Sequence, residues 1–142
     1  MANSLIVGGL KTGIQASVAS PEGYRPDSRV LDFANNYAGF SMFTEPMEAA
    51  SGADVIFTDV WASMGQEGEA EERKKIFGGK YQVNKELLAV ANSGCMDQHC
   101  LPAHRGEEIT ADVFESHADE IFDEAENRLH AQKAVMVTLM EK

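Results

Sequence analysis

Apolar positions along this chain alternate between helical and extended spacing, which predicts helices interleaved with strands. Ser4-Leu5-Ile6-Val7 runs through Gly8-Gly9 to Leu10 and stops at Gly13, as a helix with a glycine C-cap does. Ala16 to Ala19 reads as a short strand and Ser20-Pro21-Glu22-Gly23 as a turn. Asp27 then caps a helix carrying Val30, Leu31, Phe33, Ala34 and Tyr37. Phe40 to Phe43 is a second strand, followed by a short helix from Pro46 to Ala50 with proline in its first turn. Ala53 to Thr58 is the best buried strand, since four of its six residues are apolar.

Beyond Trp61 the pattern turns polar. Gln66 to Lys75 reads as a solvated loop or exposed helix. Asn84 caps a helix carrying Leu87, Leu88, Val90 and Ala91, and a strand runs up to Cys100 in spite of the polar Asp97 and Gln98. Ala111 to Glu115 follows as a short helix and Glu120 to Phe122 as a short strand. Asp123 caps the last helix, with Glu126 as its capping-box partner, and Ala125, Leu129, Gln132, Met136 and Met140 form a seam beside Arg128. Helices between strands give an α/β fold, a three-layer αβα open parallel sheet with right-handed crossovers. No internal repeat or low-complexity tract interrupts it.

A length of 142 residues suits a single domain over 1–142. The 23 acidic against 12 basic side chains give a net charge of −11, which opposes binding to nucleic acid or an anionic membrane. No apolar run approaches the roughly 18 residues of a membrane span, and the first residues lack a signal-peptide pattern. The expectation is a soluble, cytoplasmic protein. Cys95 and Cys100 flank a strand, which argues against a disulfide; with His99 and His104 they lack the second ligand pair of a zinc site, so no metal ligand is expected.

Two clusters carry chemistry. His99 to Glu108 packs a thiol, two imidazoles, a guanidinium and two carboxylates onto a turn, and Asp59 to Glu67 places a carboxylate and a hydroxyl where another strand meets a loop. In an open parallel sheet both strand ends open into one crevice. Each residue also has a plain reading. Asp59 could cap a turn, Cys100 could be a small buried hydrophobe and Arg128 a surface cation. His104 and Arg105 read as ties of the turn, while His117 and His130 have no evident partner. Gly8 to Gly13 lacks phosphate-loop spacing.

The segments FTDVWASMGQE, HCLPAHRGEE and FDEAENRLHAQKAVM together resemble signatures of the ornithine carbamoyltransferases. Lesser similarity covers ANSLIVGGLKTG, ASVASPEGY and EAASGADVIFTD, so the resemblance spans nearly the whole chain. It implies the C-terminal, ornithine-binding half of an enzyme that transfers the carbamoyl group of carbamoyl phosphate to ornithine, without organic cofactor. The resemblance implies that Asp59 pairs with the α-ammonium of ornithine while Ser63 and Met64 position its backbone. It implies that Cys100 orients the reacting δ-amine, and that Arg128 and the Leu101 backbone face the carbamoyl oxygen, where negative charge develops. Homo-oligomers are implied as well.

The family's Ser-x-Arg-Thr-Arg and His-Pro-x-Gln segments have no counterpart here, so the chain alone is expected not to complete the reaction. The family's first central strand is absent too, between Ala16–Ala19 and Val55–Thr58. Either another segment or chain fills that slot, or the two neighbouring strands pair directly. The alternatives are a catalytically silent α/β module that self-associates through its open sheet, and a carbamoyltransferase for another amine or amino acid.

Overall fold

The computed structural model describes residues 1–62, 65 and 67–141. Helix α1 (Ala2–Lys11) ends at Thr12, whose N–H and hydroxyl both reach the Gly8 and Gly9 carbonyls; Gly13 then turns left-handed at φ +84°. The Gly8-Gly9 pair is thus helical. Strand β1 (Ala16–Ala19) leads into a short 3-10 turn at Glu22–Tyr24 and helix α2 (Ser28–Ala34). Asp27 caps α2 by accepting from the Arg29 N–H, as expected, but the helix stops before Tyr37. Strand β2 (Phe40–Phe43), helix α3 (Pro46–Ala50) and strand β3 (Val55–Thr58) fall where the pattern put them.

The polar stretch is an exposed helix, α4 (Ala70–Phe77), entered through a 3-10 turn at Glu67–Glu69. Helix α5 (Lys85–Leu88) is capped by Asn84, whose Oδ1 accepts from the Leu87 N–H at 2.9 Å. Strand β4 (Met96–His99) stops one residue before Cys100, and helix α6 (Ala111–Ser116) follows.

The largest correction lies at the last helix. Glu120 to Phe122 is not a strand: α7 (Ala118–Met140) already includes it, and Asp123 lies inside the helix rather than capping it. His117 takes the N-cap position, and Asp119 and Glu120 put negative charge in the first turn, where the helix dipole favours it. The inward residues His117, Glu120, Ile121 and Glu124 follow helical spacing, which a two-residue repeat would not produce.

Strand pairing is parallel throughout the described residues, β1 with β2 and β3 with β4, but as two separate two-stranded sheets rather than one. Of the two alternatives, direct pairing of β1 with β3 is therefore not met among the described residues, and the filling of the slot by another segment or chain is left as the expectation. Helix α3 packs on β1, β2 and α5 and so bridges the two sheets. Two apolar clusters follow this division. Ile6, Leu10 and Ala34 pack between α1 and α2, while Ala50, Val83, Leu87, Ile109, Val113, Phe114 and Ile121 form the larger core beneath β3 and β4.

No helix among the described residues is long and apolar enough to cross a membrane. The seam on α7 emerges from the core after Ala125, leaving Leu129, Met136 and Met140 exposed, Met140 to 85%.

Candidate functional site

The β3–β4 register pairs Thr58 with His99, so the next residue on each strand is Asp59 and Cys100. Parallel strands thus deliver the two side chains to one edge, and the Cys100 thiol donates to Asp59 Oδ1 at 3.3 Å. Asp59 Oδ1 also accepts from the Val60 N–H at 2.8 Å, while Oδ2 lies 3.8 Å from the Met1 backbone nitrogen. Burial pushes the Cys100 thiol up to about 11, helped by its bond to the Asp59 carboxylate and the nearby Glu124. At neutral pH it is a protonated thiol, a hydrogen-bond donor rather than a nucleophile.

The turn after Cys100 is held from beneath. Leu101 adopts a left-handed conformation at φ +51°, which a leucine enters only when its surroundings impose it, and a cis peptide to Pro102 follows. The Leu101 N–H donates to His99 Nδ1 at 2.9 Å, so that nitrogen carries the lone pair and Nε2 carries the hydrogen. Nε2 in turn donates to Glu108 Oε1 at 3.0 Å, and the same oxygen accepts from the His104 N–H. His99 and Glu108 are both fully buried. Burial favours the neutral acid at Glu108, but the donors from His99 and His104 outweigh it and hold its carboxyl below the usual range.

Residues 104–109 are fastened elsewhere as well. Gly106 supplies φ +90°, Gln82 Nε2 donates to the Gly106 and Glu107 carbonyls, and Val83 exchanges backbone hydrogen bonds with Glu108 and Thr110. Arg105 pairs with Glu115 at 3.0 Å and lies over the Phe114 ring, so it ties the turn to α6. His104 ties it through its backbone.

Arg128 is exposed on α7, one turn beyond Glu124. Its link to Cys100 runs through Glu124, whose carboxyl is raised by burial against the influence of His99 and Arg128 and which also senses Asp59. The structure thus joins Asp59, Cys100 and Leu101 directly and brings Arg128 to the same side. Ser63 and Met64 lie outside the described residues. His117 and His130 have partners after all, Glu120 at 3.0 Å and Glu126 at 3.0 Å. Sequence reading placed His99 and Glu108 in the cluster without a role for either, and it missed Glu124; a signal for Glu108 is its place next to the core residue Ile109.

His104, Glu107 and Glu108 bring one potential ligand atom each within 4.8 Å of the others, the one such group of metal-binding residue types among those described. Glu107 is already paired with Lys74 at 2.8 Å, and Glu108 Oε1 is taken by His99 and His104.

The Asp59–Cys100 contact has a consequence in reactivity. Replacing Asp59 with Asn removes the charge that holds the thiol proton, and alkylation of Cys100 by iodoacetamide at pH 8 should quicken roughly tenfold. Peptide mapping distinguishes Cys100 from the buried Cys95. An unchanged rate at Cys100 would show that the contact does not govern the thiol.

Residues 1–139 match the family model described as aspartate/ornithine carbamoyltransferase, Asp/Orn binding domain. An ornithine carbamoyltransferase from Thermococcus kodakarensis is 54% identical over 99% of this chain, which covers 46% of that relative. Among solved structures, the anabolic ornithine carbamoyltransferase of Campylobacter jejuni superposes with a TM-score of 0.91 at 37% identity, over 99% of this chain and 48% of that one. The ornithine carbamoyltransferase of Pyrococcus furiosus gives 0.85 at 53% identity, over 96% of this chain and 45% of that one. The chain spans about half the length of the curated relatives it matches. With sequence and fold agreeing along its whole length, the chain belongs to the aspartate/ornithine carbamoyltransferase family, of which it carries the Asp/Orn binding domain.

Proposed function

We propose that the edge formed by Asp59, Cys100 and Leu101 binds ornithine, and that the chain serves as the ornithine-binding half of an ornithine carbamoyltransferase. The observation that carries this reading is the 3.3 Å contact between Cys100 and Asp59 across the strand ends. A carboxylate and a protonated thiol side by side suit an amino-acid substrate with two amines. Asp59 attracts the α-ammonium, and Cys100 sits where it can orient the δ-amine. Attack on the carbamoyl carbon requires that amine uncharged, which a group of ordinary pKa near 10 seldom is at neutral pH, so the site must favour loss of its proton. Arg128 faces the carbamoyl oxygen and stabilises its developing charge, while the Leu101 N–H is held by His99 Nδ1, so Leu101 meets the substrate through its carbonyl, an acceptor. Ser63 and Met64 complete the grip on the amino-acid backbone.

Carbamoyl phosphate would come with a complementary half, on which the phosphate contacts reside. The β1 and β3 edges that pair with no further strand among the described residues, and the exposed apolar residues of α7, suit such a partner. The same surfaces support the second reading, a silent module that self-associates.

Calorimetric titration with ornithine separates the two. The chain should bind ornithine, and Asp59→Ala should weaken that binding ten- to hundredfold, as loss of a charge-assisted contact does. Citrulline should form only after the complementary half is added. Equal binding by Asp59→Ala would remove Asp59 from the site, and no binding at millimolar ornithine, with a stable dimer, would favour the silent module.

A further inference from the structure

One edge of β4 pairs with β3, and against its other side lies the first turn of α7 instead of a strand. There the Asp97 N–H donates to Glu120 Oε2 at 3.1 Å, a side chain doing what a ladder carbonyl would do, and Gln98 Nε2 reaches the Glu120 carbonyl at 3.5 Å. The same Oε2 lies 3.0 Å from His117 Nδ1 at the helix N-cap. The Asp97 side chain is fully buried, and neither carboxylate oxygen has a hydrogen-bond partner. An ionised carboxylate in that position would be far more costly than a protonated one. We propose that Asp97, Glu120 and His117 form a proton-controlled latch that sets how tightly α7 docks on β4.

The groups facing Asp97 come from each neighbouring element. Cys95 lies just before its strand and His99 ends it. Glu120 comes from α7 and His117 from the α6–α7 junction, while β3 offers Ile56 in register. Burial dominates, opposed by His117 and His99, and raises Asp97 to about 6. With a proton on Asp97, Glu120 is the lone negative charge between His117 and the Asp97 N–H. Ionisation places a second carboxylate, one without hydrogen-bond partners, beside it, and the relief is to let water in by loosening the first turn of α7.

The sign follows from the raised value. Between the ordinary carboxylate range near 4 and about 6 the docked form holds more protons than the open form, so docking is strongest at low pH. It weakens as pH rises to about 6 and is level above. Two units correspond to about a hundredfold in the docking equilibrium over the full range. Because α7 carries Glu124 and Arg128, and β4 runs into His99 and Cys100, the latch also biases the candidate site. That last consequence rests on the proposed function; the latch does not.

Hydrogen exchange on the full chain tests it above the isoelectric point near 4.7. After correction for intrinsic rates, protection of the 96–99 and 118–124 amides should fall about sevenfold between pH 5.2 and pH 8. Asp97→Asn should abolish that dependence. Carboxyl-carbon NMR of the unaltered chain needs no variant and should give Asp97 a midpoint near 6. A midpoint near 4, pH-independent protection, or full dependence retained in Asp97→Asn would each overturn the latch.

Discussion

Replacing Glu108 with Ala should cost the fold about 3–5 kcal/mol, the loss expected when a fully buried carboxylate that accepts two hydrogen bonds is removed. Its buried carboxylate joins the His99 ring to the His104 N–H, so truncation strands one buried and one half-buried donor and leaves a void. Urea unfolding should show a sharply lower midpoint with little change in slope. The penalty should depend on pH with a defined sign. Glu108 is held below the usual range, so its contribution is fully present above that range and is lost as pH falls through the folded value. The gap between the parent chain and Glu108→Ala should therefore narrow toward acid. Glu108→Gln, which keeps shape and one acceptor, should lose less. A midpoint unmoved by Glu108→Ala would mean that the buried pair does not hold the turn.

That turn connects stability to the candidate site. His99 presents its lone pair to the Leu101 N–H only while Glu108 holds the opposite nitrogen, and Leu101 keeps its left-handed backbone within that frame. Loss of Glu108 should then loosen the Cys100–Leu101 edge before the rest of the molecule unfolds.

Local pattern revealed much of this arrangement. Val55–Thr58 was legible because a dense apolar run bounded by polar residues suits a buried strand, and Asp27 and Asn84 because capping is a local hydrogen bond. The meeting of Asp59 with Cys100 was legible as far as parallel strand ends share a crevice; the contact itself depends on register, which no single segment encodes. Glu107 and Glu108 look alike in sequence, yet one pairs with Lys74 at the surface and the other is buried against His99. That distinction arises from long-range packing. The polar Asp97 was visible as an oddity, but its meaning required Glu120, which the sequence reading had placed on a strand. The split of the sheet was legible as a missing strand, whereas which of the two alternatives holds, a filled slot or direct pairing of its neighbours, depends on packing between segments far apart in the chain.

The start of α7 can be tested by which neighbouring residue the fold depends on. Ile121 is fully buried in the larger core, whereas Phe122 is 54% exposed and meets Phe114 edge-on, with ring centroids 6.2 Å apart. Ile121→Ala should cost about 3–4 kcal/mol through lost burial and the cavity left behind, and Phe122→Ala about 1 kcal/mol. A helix from Ala118 places His117, Glu120, Ile121 and Glu124 on one face, with Phe122 turned off it. A strand would instead put Glu120 and Phe122 on a common face and Ile121 on the other. Ala125 completes the test, because in the helix it lies one turn from Ile121 and is partly covered. Ala125→Pro should therefore break the ladder of α7 and destabilise by about 3 kcal/mol or more. Thermal unfolding of the three variants reads all of these effects. Equal losses at Ile121 and Phe122, with Ala125→Pro tolerated, would return this segment to the extended form that its short apolar pair first suggested.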